Sequence, residues 1–205
     1  MQESQTGSSS ERAVKIIRKH DGIIRSSAAL AAGISQRTLH ALLDSGILEK
    51  FSRGVYRLTE LPPLANPDLA IIGSRVPRGV VCLISALAFH EITTQIPHAV
   101  NVALEKGMEV PRIARLPLSV HHFSRQAFQS GIEEHIIDGV KVRVYSPEKT
   151  LADCFKFRNK IGMDIVMEAL KLYKERKSFN ADDLVKYGKI CRVEKVMTPY
   201  LEAVL

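Results

Sequence analysis

The sequence predicts an α+β protein, in which an N-terminal winged helix-turn-helix is followed by a mixed α/β C-terminal domain with a helical C-terminal end. Three observations support this. Two short helical patterns flank Gly33, and two short strand-like runs follow them directly. The segment 61–67 then contains three of the nine prolines, which cannot continue a helix or a central strand. Beyond it, strand patterns give way to helical ones after residue 145.

These patterns divide the chain into four parts. The polar, serine-rich residues 1–10 are expected to form a disordered leader. Residues 11–60 form the winged helix-turn-helix, and 61–67 form a linker. Residues 68–205 form the larger C-terminal domain.

Composition narrows the class of partner. The formal net charge of +7 favours polyanions such as nucleic acid. The three cysteines lie far apart without a Cys-x-x-Cys pair, so we expect no metal site, no disulfide framework and no cofactor, and a reducing cytoplasm as the compartment. The most apolar stretch, 79–89, is about half the roughly 20 residues that a transmembrane helix needs.

The helix-turn-helix is predicted from caps and spacing. The first helix is expected over 11–20, the second over 28–32 and the third over 36–45. Gly33 supplies the left-handed turn after the second helix, and Ser35 caps the third. The small residues of the second helix allow the close approach that this motif requires.

The third helix carries the predicted chemistry. Its apolar residues face the core, which leaves the polar residues of its first turn outside, where they can enter a major groove. Arginine pairs with guanine and glutamine with adenine, whereas hydroxyls and free helix amides suit phosphate. The hairpin of 47–51 and 55–58, with its tip at 52–54, adds basic residues that can reach phosphates or a minor groove. The candidate DNA-binding residues are therefore Ser35, Gln36, Arg37, Thr38, His40, Lys50, Arg53 and Arg57.

The C-terminal domain is predicted to contain an antiparallel or mixed sheet flanked by helices. Asp138-Gly139 predicts a hairpin turn, and Ser146-Pro147-Glu148 predicts a capped helix start. Lys141, Arg143 and Lys149 are a possible secondary basic patch, although ordinary solvated charge explains each of them alone. The expected strands are 98–104, 118–123, 133–137 and 140–145, and the expected helices are 68–75, 84–91, 162–174, 180–189 and 193–204.

Several of these segments together resemble the AbiEi-type antitoxins of type IV toxin/antitoxin systems, which act in abortive phage infection. They are Leu30–Ser35, Leu43–Lys50, Arg53–Leu58, Ser85–His90, Asn101–Leu104 and Val144–Asp153. The resemblance implies a non-enzymatic antitoxin that represses its own operon at inverted repeats. It also implies that the C-terminal domain counteracts a nucleotidyltransferase toxin encoded beside it.

Two other classes of function remain open. A plain winged-helix regulator or a protein-interaction module would have the same N-terminal pattern without a toxin partner. A C-terminal nuclease would need clustered carboxylates with a lysine, a role for which Asp138, Lys141, Glu148 and Lys149 can be considered. Asp138 is already expected in a turn and Glu148 at a helix start, which argues against this role. A zinc-protease helix is not supported, because Thr94 stands where the second histidine after His90-Glu91 belongs.

Overall fold

The computed structural model describes residues 3–110, 113 and 116–204, with the backbone alone described for residues 3–8. The chain divides into two compact units. The first contains the chain up to Arg75 together with Ile136–Lys141, and the second contains Val76–His135 and the chain from Val142 onward. Helices and strands occur in both, which confirms the predicted α+β class.

The first unit is a winged helix-turn-helix, as predicted. Its three strands form an antiparallel sheet in the order β1-β3-β2. The elements are α1 (Glu3–Arg18), β1 (Ile23–Arg25), α2 (Ser26–Ala31), α3 (Gln36–Asp44), β2 (Leu48–Ser52), β3 (Val55–Leu58) and α4 (Pro67–Arg75).

Two features of this unit differ from the sequence prediction. Helix α1 begins at Glu3 and not at Glu11, so that the described part of the expected leader continues the helix; residues 1–2 lie outside the described residues. Strand β1 was not predicted, because three residues are too short to show an alternating pattern. It is identified only by its pairing, in which Ile23 lies opposite Arg57 of β3.

The core of this unit lies where α1, α2 and α3 meet the sheet. Ile17, Leu39, Leu42 and Leu58 are each at most 1% exposed. Truncation of such a leucine to alanine typically costs about 2–5 kcal/mol. The orientation of α3 is therefore maintained by packing of its apolar face, and its polar face remains on the surface.

The second unit contains most of a mixed five-stranded sheet in the order β6-β5-β4-β8-β7. Strand β4 is antiparallel to β5 and parallel to β8, and β5 is parallel to β6. The elements are β4 (Val80–Val81), α5 (Leu83–Phe89), β5 (Val100–Glu105), β6 (Leu118–Phe123), α6 (Arg125–Gln129), β7 (Ile132–Ile137), β8 (Val140–Tyr145), α7 (Pro147–Lys156), α8 (Arg158–Ile161), α9 (Met163–Lys174), α10 (Ala181–Cys191) and α11 (Glu194–Val204).

Helix α7 is the central helix of the second unit, and its start follows the predicted pattern. The Ser146 hydroxyl accepts a hydrogen bond from the Lys149 amide at 3.3 Å, and Pro147 occupies the first turn. The Glu148 carboxylate accepts a hydrogen bond from the Tyr173 hydroxyl. Residues 149–155 are all buried.

A charged pair lies inside this core. Lys149 Nζ is 2.5 Å from Asp153 Oδ2, and both side chains are completely buried. The ammonium also lies 4.0 Å from the centre of the Tyr145 ring, and Cys191 Sγ donates to Asp153 Oδ1 at 3.1 Å. Burial raises the pKa of the Asp153 carboxyl, and the adjacent ammonium opposes this shift.

Candidate nucleic-acid interface

The turn between α2 and α3 is fixed by the residues that the sequence indicates. Gly33 adopts a φ of +83°, which a residue with a side chain rarely tolerates. The Ile34 amide donates to the Ala29 carbonyl at 2.9 Å, and the Ser35 hydroxyl accepts from the Thr38 amide at 3.1 Å. Helix α3 therefore starts at a defined residue, and the side chains of its first turn are placed precisely.

Helix α3 has one buried face and one exposed face. Leu39 and Leu42 are each 1% exposed, whereas Gln36, Arg37 and His40 are exposed. The first turn contains no acidic residue that would repel a polyanion. A polar helix face next to a buried leucine face is the arrangement that major-groove reading requires.

The exposed side chains at the start of α3 are available for binding. Within the described residues, the side chains of Gln36, Arg37 and His40 form no hydrogen bond or ion pair. Donors and acceptors that are not already paired can bind base edges without first breaking an internal contact. Among the candidate residues, Gln36 and Arg37 lie nearest the amino end of the helix.

Ser35 and Thr38 already share hydrogen bonds with each other. Their hydroxyl oxygens are 2.8 Å apart, and Thr38 Oγ1 is also 3.3 Å from the hydroxyl of Ser9 on α1. Ser35 is exposed and Thr38 is half-buried. The Ser35 hydroxyl caps α3, and both hydroxyls lie close to the free amides of its first turn.

The wing is short, and its turn is held in place by neighbouring residues. The Gly54 carbonyl accepts from the Ser26 amide at 2.9 Å and from the Ser26 hydroxyl at 3.2 Å. The Arg53 carbonyl accepts from Arg75 Nη1 at 2.7 Å. The Arg53 side chain is exposed at the tip, and that of Lys50 is exposed on β2. The wing therefore offers one basic side chain at its tip and one on β2.

Arg57 cannot belong to this surface, and its inclusion among the candidates was wrong. Its side chain is only 7% exposed and is paired with Glu49 and with the carbonyl of Pro62. The cause is the unpredicted strand β1, which makes β3 the central strand, so that all four residues of β3 are buried. Arg57 links the two wing strands and is not available to phosphate.

Sequence reasoning missed a cleft of about 410 Å³ beside the start of α3. Ser9, Arg12 and Ile16 line one side of it from α1, and Gly33 and Thr38 line the other. Arg12 had no distinguishing signal in the sequence, because α1 also contains the basic residues Lys15 and Arg18. The contact between α1 and α3 reveals its position.

The remaining basic residues of α1 differ in their surroundings. Arg18 forms a two-pronged ion pair with Glu60, with distances of 2.9 and 3.0 Å. The hydrogen bond from Arg18 lowers the pKa of the Glu60 carboxyl. Lys15 is exposed on α1, and Lys19 is exposed in the turn that follows the helix.

The possible secondary patch does not form as predicted. Lys141 is exposed, whereas Arg143 is half-buried, donates to the Arg78 carbonyl at 2.9 Å and lies over the Phe128 ring. Lys149 is completely buried in the ion pair with Asp153 and cannot meet a partner. On β8, Val142 and Val144 are buried on one face, and Tyr145 at the end of the strand is also buried.

The carboxylates considered for a nuclease have other partners. Asp138 accepts from the amides of Ala65 and Asn66 at 2.9 and 2.8 Å, and Glu148 accepts from Tyr173. Among the described residues, no three His, Cys, Asp or Glu side chains are grouped so that they could hold a metal ion. In the same residues, no helix is both long and apolar enough to cross a bilayer.

The N-terminal part of the chain is similar to a known family. Residues 11–59 match the family described as transcriptional regulators of the AbiEi antitoxin type. The match covers α3 and the wing but ends before α4, so the resemblance of the C-terminal residues to AbiEi antitoxins stays a prediction.

The fold as a whole also has a solved counterpart. The chain is similar in structure to the RV2827C protein from Mycobacterium tuberculosis, with a TM-score of 0.57. The two are 13% identical, and the similarity covers 89% of this chain and 71% of that chain. At this identity the likeness concerns the fold alone. No curated protein matches the sequence.

Proposed function

We propose that this chain is the DNA-binding antitoxin of a type IV toxin/antitoxin system. In this proposal it represses its own operon at inverted repeats and counteracts a nucleotidyltransferase toxin. The observation that carries the proposal is the exposed start of α3, with unpaired Gln36 and Arg37, inside a segment that matches AbiEi antitoxin regulators. Residues 11–60 bind DNA, 61–67 act as a linker, and 68–205 carry the antitoxic function.

Each part of α3 has a distinct role in this proposal. Arg37 donates two hydrogen bonds to a guanine and Gln36 pairs with an adenine, each worth about 1–3 kcal/mol of discrimination against a wrong base. Ser35, Thr38 and the free amides of the first turn contact a phosphate, and His40 lies one turn further along the groove. Base contacts specify the sequence, and phosphate contacts fix the register.

The wing adds affinity without sequence reading. Lys50 and Arg53 donate to phosphates flanking the major groove, because the short turn limits how far Arg53 can extend into a minor groove. Each phosphate neutralised adds about −0.9 to the slope of log K against log salt for duplex DNA. The net charge of +7 supports association with DNA at low salt.

Fluorescence anisotropy with the duplex directly upstream of the chain's own gene tests the DNA-binding part. Arg37→Ala is expected to weaken binding by about 5- to 150-fold, which corresponds to about 1–3 kcal/mol. Arg125→Ala is the matched control, since Arg125 is also an exposed arginine in a first helical turn but lies in the second unit. Equal binding by wild type and Arg37→Ala, or no binding by either, would overturn the DNA-binding role.

Co-expression tests the antitoxic part. The nucleotidyltransferase encoded next to this chain is expected to arrest growth, and the full chain is expected to restore it. Arg37→Ala should restore growth equally well when it is expressed from an unrelated promoter, because the proposal assigns antitoxicity to 68–205. Failure of the wild-type chain to restore growth would contradict the antitoxin role while leaving repression intact.

A further inference from the structure

The cleft between α1 and α3 has the chemistry of an anion site. Ser9, Arg12 and Ile16 recur on α1 at positions i, i+3 and i+7, so they share one face of that helix. Opposite them lie Gly33, Ile34 and Thr38. Among the residues whose side chains the structure describes, the lining contains one cation, two hydroxyls and no acidic side chain.

Arg12 differs from the other arginine of α1. Arg18 is neutralised by Glu60 at 2.9 Å, and it borders a different depression on α1, together with Lys15, Ile47 and Glu60. The Arg12 side chain is exposed and forms no ion pair or hydrogen bond with any described residue. As far as these residues are concerned, its guanidinium can bind an anion that enters the cleft.

The position of the cleft indicates which anion. Ser9 Oγ lies 3.3 Å from Thr38 Oγ1, so the Ser9 end of α1 adjoins the same turn of α3 that carries Gln36 and Arg37. When this turn reads bases in the major groove, the sugar-phosphate backbone that borders the groove lies next to the cleft. Arginine can bind a phosphate through two parallel hydrogen bonds.

We propose that the α1–α3 cleft binds one backbone phosphate of the duplex that α3 reads. Arg12 supplies the positive charge, and the hydroxyls of Ser9 and Thr38 donate hydrogen bonds to the phosphate. This inference rests on the proposed DNA-binding function and adds a contact from α1, outside the helix-turn-helix and the wing. Because phosphate carries no sequence information, Arg12 raises affinity for all sequences equally.

Charge substitutions on α1 test the proposal with matched controls. Arg12→Ala is expected to weaken binding to the upstream duplex on the order of tenfold, as for the loss of one charge-assisted hydrogen bond. It should also reduce the magnitude of the salt slope by about 0.9, and Arg12→Lys should retain the slope. Lys15→Ala removes the same charge from a residue that borders the other depression and should leave the affinity within about twofold.

Adding a negative charge gives an independent test. Ser9→Glu places a carboxylate inside the cleft, whereas Ser10→Glu places it one residue further along α1, where Ser10 borders the other depression. Ser9→Glu should weaken binding at least as much as Arg12→Ala, and Ser10→Glu should have a several-fold smaller effect. Thermal melting of each variant checks that the first unit stays folded.

The outcomes separate this inference from the proposed function. If Arg37→Ala abolishes binding while Arg12→Ala and Ser9→Glu bind with the wild-type affinity and salt slope, the cleft is not a phosphate site, but the DNA-binding role stands. If Ser9→Glu and Ser10→Glu weaken binding equally, only net charge matters and the cleft assignment is wrong. If the wild-type chain binds no duplex, the proposed function itself fails.

Discussion

Removal of the ammonium from the buried Lys149–Asp153 pair should strongly destabilise the second unit. Lys149→Met keeps most of the side-chain volume but leaves the Asp153 carboxylate, which is 0% exposed, with the Cys191 thiol as its one remaining side-chain partner among the described residues. Removing one partner of a buried ion pair typically lowers the free energy of unfolding by about 3–5 kcal/mol. The free energy of unfolding of the second unit should fall by that amount at neutral pH.

The pH dependence of this loss has a definite sign. Burial already raises the pKa of Asp153, and without the ammonium that opposes the shift it rises further. A raised folded-state pKa favours the native state while the carboxyl is protonated, and this advantage disappears as the pH rises through the folded-state value. The difference in free energy of unfolding between wild type and Lys149→Met should therefore become smaller as the pH is lowered from 7 towards 5.

Urea unfolding followed by near-ultraviolet circular dichroism measures the effect. The chain has no tryptophan, and the Tyr145 ring lies 4.0 Å from Lys149 Nζ, so tyrosine signals report on this region. The double variant Lys149→Met/Asp153→Leu removes both charges and should recover most of the stability. A loss below about 1 kcal/mol for Lys149→Met, or a double variant as unstable as the single one, would refute the reasoning.

Three further predictions concern the first unit. Ser35→Ala removes the cap of α3 and should lower the free energy of unfolding by about 0.5–2 kcal/mol in thermal melts, and an unchanged midpoint would contradict the capping role. Arg53→Ala should weaken binding to every duplex sequence alike and reduce the salt slope by about 1, so an effect confined to one sequence would imply base reading by the wing. Arg57→Ala should destabilise the wing without changing the salt slope, because its guanidinium is committed to Glu49 and Pro62, and a changed slope would mean that it reaches phosphate.

Local signals in the sequence predicted much of this fold. Ser35 and Ser146 cap helices as expected, since the capping bond involves residues only three positions apart. The turn Asp138-Gly139 also forms, with positive φ at both residues. The winged helix-turn-helix is made of such short-range patterns, and its match to a known regulator family agrees with the prediction.

The errors arose where burial depends on elements distant in sequence. Arg57 was expected to face solvent because nothing near it indicates that β1 pairs with the second edge of its strand. Lys149 was expected on a surface because lysine is almost never fully buried unless paired, and its partner Asp153 is recognisable only once α7 is known to be covered by α10. The cleft at Arg12 likewise depends on the packing of α1 against α3.

Base discrimination at the start of α3 tests the central claim most directly. The measurement compares wild type and Arg37→Ala on upstream duplexes in which each base pair of the bound site is substituted in turn. The account predicts that substitution of one guanine lowers the binding free energy of the wild type by about 1–3 kcal/mol but does not affect binding by Arg37→Ala. Substitutions at the other positions should affect both proteins alike. Identical substitution profiles for the two proteins would contradict sequence reading by this helix.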